Sequence, residues 1–161
     1  MNKRANNTVI RKVAGLAGWL GLTFCAAVTG VFVQTGGWYA ELAKPAWNPP
    51  GWLFGPVWTV LYAMMAVAAW LIWLRGGWKM QRRALGLYLV QWALNALWTP
   101  IFFGMQRPGL AFAEIILLLV AICATLVSFW RISRVAGVLL LPYTLWTSFA
   151  AVLNFAIWQM N

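Results

Sequence analysis

The chain has 161 residues, 63% hydrophobic and only 9% charged, which is too little polar surface to coat a water-soluble globule, so its solvent is a bilayer. Its net charge of +10 comes from twelve Lys/Arg against two acids, but the cations sit at the ends of apolar stretches rather than on one soluble face, which argues against a nucleic-acid partner. Histidine and aspartate are absent, so a His-ligated haem, a zinc site with histidine ligands and a Ser-His-Asp triad are excluded, and no metal-binding set is expected.

Five apolar stretches are long enough to cross about 30 Å of hydrocarbon. The first covers 13–33. It outruns a signal-peptide core, and Phe24 before Cys25 suits lipoprotein processing poorly, so it is expected to stay in the mature protein as a helix. Gly15, Gly18, Gly21, Ala26 and Gly30 give it small surfaces for close packing. Cys25, like Cys123 in the fourth stretch, counts as a small hydrophobe, and no disulfide framework is implied. A long connection from Gln34 to Trp52 follows, carrying Gly36, Gly37, Pro45, Pro49 and Pro50. It is expected to fold over one mouth of the bundle.

The second span, 53–74, is expected to begin near Gly55, with Pro56 in its first turn, where a missing N–H costs little. It carries Trp58, Tyr62 and Met65 on one face. In the third, 84–103, Tyr88, Gln91, Asn95, Trp98 and Phe102 recur at spacings of three and four and share one face. Lipid offers no partner for the two amides, so this face turns inward, either to bond across helices or to line a pocket. The fourth, 110–130, holds Glu114, the single acid inside a span. It must face protein or water and is expected to reach Arg107 or a backbone N–H. The fifth, 135–158, repeats the pattern with Tyr143, Trp146, Ala150 and Asn154. Pro100 and Pro142 lie inside spans, where each frees a carbonyl, that of Ala96 or Val138. The freed carbonyls either kink and widen the bundle or are absorbed as ordinary helix variation.

Three helices therefore present aromatic faces. Trp58, Trp98 and Trp146 have the shape to stack on a planar ring, Asn95 to orient it, and Ala150 to leave it room, as a tetrapyrrole or sterol site needs. Trp78, Trp130 and Trp158 fit an interfacial belt instead. The short connections after the second, third and fourth spans give one all-α membrane domain over 1–161, a bundle of five transmembrane helices with the first loop capping the pocket. Lys3, Arg4, Arg11, Lys12, Arg75, Lys79, Arg82, Arg83, Arg131 and Arg134 fall on one side and only Lys44 and Arg107 on the other. By the positive-inside rule the N-terminus is cytoplasmic, and a bacterial inner membrane is favoured over an outer or organellar one.

The blocks Trp38, Tyr39, Leu42, Lys44, Pro45, Trp47, Pro49, Pro50, Trp52, Phe54, Pro56, Val57, Trp58, Thr59, Leu61 and Tyr62, then Gln91, Asn95, Trp98, Phe102 and Phe103, then Pro142, Tyr143, Trp146, Phe149, Ala150, Leu153 and Asn154, resemble the TspO/MBR family of tryptophan-rich sensory and translocator proteins. The resemblance implies a five-helix, often dimeric membrane protein that binds porphyrins, haem and related tetrapyrroles and, in some members, cholesterol and benzodiazepine-type drugs. Its ligand-lining positions fall here at Tyr39, Trp58, Tyr62, Asn95, Trp98, Trp146 and Ala150. No cofactor is required, with porphyrin or haem as ligand, membrane lipids around the chain and a homodimer as its assembly.

Relatives of this kind also imply an enzyme alternative, light- and oxygen-dependent porphyrin breakdown with Trp58 and Trp146 as participants. Binding by a sensor, regulator or transporter is the leading expectation, and a purely structural role is the third. A sterol or another lipophilic ligand is a further alternative. The animal sterol motif, a tyrosine followed by a basic residue, is replaced here by Phe155 and Gln159, which disfavours sterol.

Overall fold

The computed structural model describes residues 3–31 and 37–161. The described residues form an all-helical protein, 88% helix without strands. In chain order the elements are α1 (Lys3–Val31), α2 (Gly37–Glu41), α3 (Gly51–Trp73), α4 (Gly77–Thr99), a π-helical turn (Pro100–Gly104), α5 (Pro108–Ile132) and α6 (Arg134–Met160). Within them Thr8–Thr29 and the whole of α3, α5 and α6 are long and apolar enough to cross a membrane. The 23 residues of α4 would span roughly 35 Å at about 1.5 Å per residue, but Lys79, Arg82, Arg83, Gln91 and Asn95 dilute its apolar character. Five apolar spans were expected; four helices meet both the length and the composition that spanning requires.

Helix contacts close into a ring in the order α1, α3, α6, α5, α4 and back to α1, with α3 also touching α4 and α5 across the middle. A layer of Met65, Ala66, Ala69, Ile72, Leu85, Tyr88, Phe129, Ala136 and Leu140, all almost fully buried, fills the ring toward one end. At that end the basic segments converge. Trp70 Nε1 donates to the Lys12 carbonyl at 3.0 Å, Arg75 Nη1 donates to the Ile132 carbonyl at 3.1 Å, and the Arg11 guanidinium lies 5.5 Å from the Trp73 ring centre.

Helix ends depart from expectation for identifiable reasons. α1 starts at Lys3 and α4 at Gly77, well before the expected 13 and 84, because charged side chains at a helix end need only water, not a break in the helix. α3 begins at Gly51, with Pro50 as its N-cap, rather than near Gly55. Pro56 therefore lies inside the helix and not in its first turn. Of the two interior prolines only one changes the helix: α6 runs unbroken through Pro142, whereas at Pro100 α4 gives way to the π turn, closed by Met105 N–H to the Pro100 carbonyl at 2.8 Å.

Among the small residues of α1, a Cβ on Gly15 would run into the Trp73 ring and Ala26 is buried, but Gly18 and Gly21 face open space. The packing role therefore belongs to two of the expected positions. Residues 32–36, including Gln34 and Gly36 of the expected cover, lie outside the described residues, as do the surroundings of Lys3, Arg4 and Gly30. Cys25 and Cys123 are free and exposed on the outside of the bundle.

Candidate functional site

Opposite the basic end the ring is not filled. A cavity of about 500 Å³ opens there, within the size range of small-molecule sites. Its wall takes Ala26 and Ala27 from α1, Phe54, Trp58 and Tyr62 from α3, Asn95, Trp98 and Thr99 from α4, and Phe102 and Phe103 from the π turn. α5 adds Ile115 and Leu118, α6 adds Trp146, Thr147, Ala150, Leu153 and Asn154, and Tyr39 closes it from α2. All seven candidate positions, Tyr39, Trp58, Tyr62, Asn95, Trp98, Trp146 and Ala150, thus meet at one cavity. Sequence reasoning missed the α1 alanines, Ile115, Leu118 and Thr147. On their own helices these are unremarkable small or apolar residues, and only the ring order puts them at the slot. The pair Gly51 and Gly55, one turn apart on α3, did carry a signal: two small residues on a face otherwise made of rings.

The floor is a hydrogen-bonded chain of side chains. Tyr62 donates its hydroxyl to Asn95 Oδ1 at 2.8 Å, and Asn95 Nδ2 donates to the Tyr143 hydroxyl at 3.1 Å. Asn95 is thereby clamped between α3 and α6, satisfying both ends of an amide that lipid would leave stranded. Higher up, Trp98 Nε1 donates to Asn154 Oδ1 at 3.2 Å and Asn154 Nδ2 to the Pro108 carbonyl at 2.8 Å, tying α4, α6 and α5 together. Trp98 also stacks on Phe102, with ring centres 4.9 Å apart and planes 19° apart. One face of its indole is thus already occupied. Trp58 packs against Tyr62 at 5.3 Å and Trp146 against Phe149 at 5.5 Å.

The cover is built by local chemistry. α2 has five residues, too few to be stable alone, and it is held by Lys44, whose Nζ donates to the carbonyls of Tyr39 at 2.5 Å and Leu42 at 2.9 Å and lies 4.7 Å from the Tyr39 ring centre. A cation at a helix C-terminus satisfies its orphan carbonyls and opposes the dipole. The Tyr39 hydroxyl donates to Asn48 Oδ1 at 3.1 Å. Burial pushes its pKa up and the Asn48 bond opposes part of that rise, so Tyr39 stays a neutral donor near neutral pH. Trp38 and Tyr39 meet Phe102 and Phe103 edge to face, and Trp47 meets Phe149. Asn161 fastens the loop to the end of α6, accepting from Ala43 N–H and donating to the Ala43 carbonyl, both at 3.0 Å.

The expected partner of Glu114 is not found. Neither Arg107 nor a backbone N–H reaches it, and both carboxyl oxygens are buried without a hydrogen bond. Gln91 and the Thr147 hydroxyl are in the same condition. The Trp98–Asn154–Pro108 bonds fix the heights of the parallel pair α4 and α6 relative to the antiparallel α5, and stepping down seven residues on α4, seven on α6 and six on α5 brings Gln91, Thr147 and Glu114 to one level. A polar layer therefore crosses the bundle beside the cavity. The partner expected for Glu114 is thus absent among the described residues, and its carboxyl is buried unpaired.

Among known proteins, the TspO/MBR family model matches residues 12–159. The chain is 38% identical to "Protein CrtK" of Rhodobacter capsulatus over 141 residues, 85% of this chain and 86% of that protein. It is 42% identical to "Translocator protein" of Homo sapiens over 126 residues, 77% and 75% of the two chains. With "Tryptophan-rich protein TspO" of Archaeoglobus fulgidus it shares 39% identity over 154 residues, 95% and 98%. The chain belongs to the TspO/MBR family.

Proposed function

We propose that this TspO/MBR protein binds a flat, largely apolar tetrapyrrole, a porphyrin or haem, in the cavity beneath its proline-rich cover, and serves as a membrane sensor, regulator or transporter of that ligand. One observation carries the reading: three helices and the cover bring three indoles, two phenols, one amide and one small residue around a single slot of about 500 Å³. Rings supply dispersion and stacking to any planar π system, and the Asn95 amide supplies one oriented polar contact. No histidine is available to ligate a haem iron, and a planar ligand can be held by its faces and edges without metal ligation. The names of the relatives, a translocator protein and CrtK, fit a transporting or regulating role.

In this reading α4 is the fifth span, its basic first turns standing in the headgroup region and its amides covered by α3, α5 and α6. The N-terminus is cytoplasmic, because the converging basic end obeys the positive-inside rule. A bacterial inner membrane is the favoured host, and the working assembly is a homodimer in lipid.

Titrating the purified protein with a porphyrin is expected to quench its tryptophan fluorescence saturably. Ala150→Phe, which puts a ring into the slot, is expected to weaken binding by roughly tenfold or more, equivalent to about 1.4 kcal/mol. Trp146→Phe is expected to weaken it less. Unchanged affinity in both variants would rule out this cavity as the site.

A second reading, porphyrin breakdown driven by light and oxygen, is favoured by Trp58 and Trp146 lining the same slot, with the Trp146 indole N–H unpartnered. Illumination of the complex in air should then yield a new absorption spectrum that Trp58→Phe abolishes while binding persists. Product formation in a dark, oxygen-free control would refute it.

A further inference from the structure

A second cavity, of about 380 Å³, sits at the basic end, far from the aromatic slot. It lies where α4 begins and α5 ends, lined by Met80, Gln81, Arg82, Arg83, Ser128 and Ile132. Its shape comes from a kink: Gln81 has non-helical angles, φ −111° and ψ 21°, and Gly76 and Gly77 before it take positive φ. The Gln81 side chain reaches back to the Arg75 carbonyl at 2.9 Å, and Arg75 in turn holds the Ile132 carbonyl. The two helix ends are thereby locked in place around the opening rather than left to fray.

The charge inside this opening is uncompensated. The two acids of the chain are Glu41, in α2 at the cover, and Glu114, on the cavity half of α5, so no carboxylate is near. Among the described residues Arg82 and Arg83 make no hydrogen bond or ion pair, and both are exposed. Arg131 and Arg134, at the junction of α5 and α6, lie outside its lining.

We propose that this opening is a binding site for the phosphodiester headgroup of an anionic phospholipid. Arginine forks match phosphate oxygens and bind them through paired, charge-assisted bonds, and the Ser128 hydroxyl adds one further donor. Met80 and Ile132 give the glycerol and first acyl carbons an apolar wall. Lipid, rather than a free anion, is the occupant because the opening stands at the end of the membrane-crossing helices and is flanked by the exposed apolar side chains of Met80, Val127 and Trp130. Basic pockets between transmembrane helices recognise headgroups in this way.

The test uses the whole protein in mild detergent micelles doped with phosphatidylglycerol or with phosphatidylcholine, read by thermal shift and by native mass spectrometry. The wild type is expected to gain several degrees and retain bound lipid with phosphatidylglycerol, and to do neither with phosphatidylcholine. Arg82→Gln with Arg83→Gln should weaken phosphatidylglycerol binding by roughly tenfold or more. Arg134→Gln, which removes a charge outside the opening, should leave it intact. Ser128→Leu fills the opening without changing charge and should also reduce retention, which covers the case of a poorly folded double variant. Equal effects of Arg134→Gln and the paired change would show diffuse attraction and overturn the proposal, as would equal response to the two lipids. An equal shift from inorganic phosphate at matched concentration would overturn the lipid assignment.

Discussion

The two halves of the bundle are built from the same helices and end in opposite states. Toward the basic end, Met65, Ile72, Leu85, Tyr88, Phe129 and Leu140 interlock and are sealed, and their polar neighbours are satisfied: the Tyr88 hydroxyl and Thr23 Oγ1 are 2.6 Å apart, and Thr23 also donates to the Trp19 carbonyl at 2.7 Å. Toward the cover, large rings surround a slot they do not fill, and two of its wall residues, Trp146 and Thr147, carry unpartnered polar atoms. The difference lies in the pairing of sizes. In the filled half, the small residues Ala66, Ala69 and Ala136 are fully buried together with large side chains such as Tyr88 and Phe129. In the open half the small residues Ala26, Ala27, Gly51, Gly55 and Ala150 border the slot and leave it space between the rings. The sealed packing thus lies at one end and the open slot at the other.

The largest expected effect tests that division. Phe129 is fully buried and stacks on Tyr88 with planes 12° apart. Phe129→Ala should lower stability by about 3–5 kcal/mol while the folded fraction keeps the porphyrin affinity of the wild type. Measuring both by thermal unfolding in detergent and by fluorescence titration checks the claim. A large loss of affinity in the folded fraction would show that the halves are coupled.

Next in size is the polar layer. A carboxyl buried without a partner costs stability, whereas an apolar replacement of similar shape removes that cost. Glu114→Leu should therefore raise unfolding stability by about 1–3 kcal/mol, read as a higher Tm at unchanged helical content. A fall would mean that the Glu114 carboxyl makes a stabilising contact that leucine loses, and the reading of it as an unpaired group would break.

Much of the site was legible because polar and aromatic residues on an apolar helix are informative exceptions. Asn95, Trp98, Trp146 and Ala150 recur with helical spacing, so their shared face could be read without coordinates. Ala26, Leu118 and Thr147 could not be found that way, since a core residue and a cavity residue of the same type look identical until the neighbouring helix is known. Helix ends run past their expected bounds where charged residues continue the helix: Lys79, Arg82 and Arg83 lie inside α4. The kink at Gln81 and the π turn at Pro100 arise from backbone geometry that residue type does not encode strongly. Of two interior prolines in similar apolar contexts, only Pro100 leads into a π turn. Glu114 shows the opposite error, an expectation of pairing drawn from a sound rule that this bundle does not obey.

The smallest effect concerns the cover, which connects the open half to the outside. Two bonds join Asn161 to Ala43, and a third, from Asn161 Nδ2 to the Ile157 carbonyl at 2.8 Å, fixes that side chain on the last turn of α6. All three are solvent-facing or partly so, and removing them leaves no stranded group. Asn161→Ala should therefore cost only about 0.5–1.5 kcal/mol and hardly move Tm. Its consequence is expected in kinetics: a looser cover should speed porphyrin release while the association rate changes little, since affinity differences among variants of one site lie mostly in dissociation. Stopped-flow release into excess apoprotein acceptor measures this. An unchanged release rate would mean that the ligand leaves between helices, and that the cover shapes the slot without gating it.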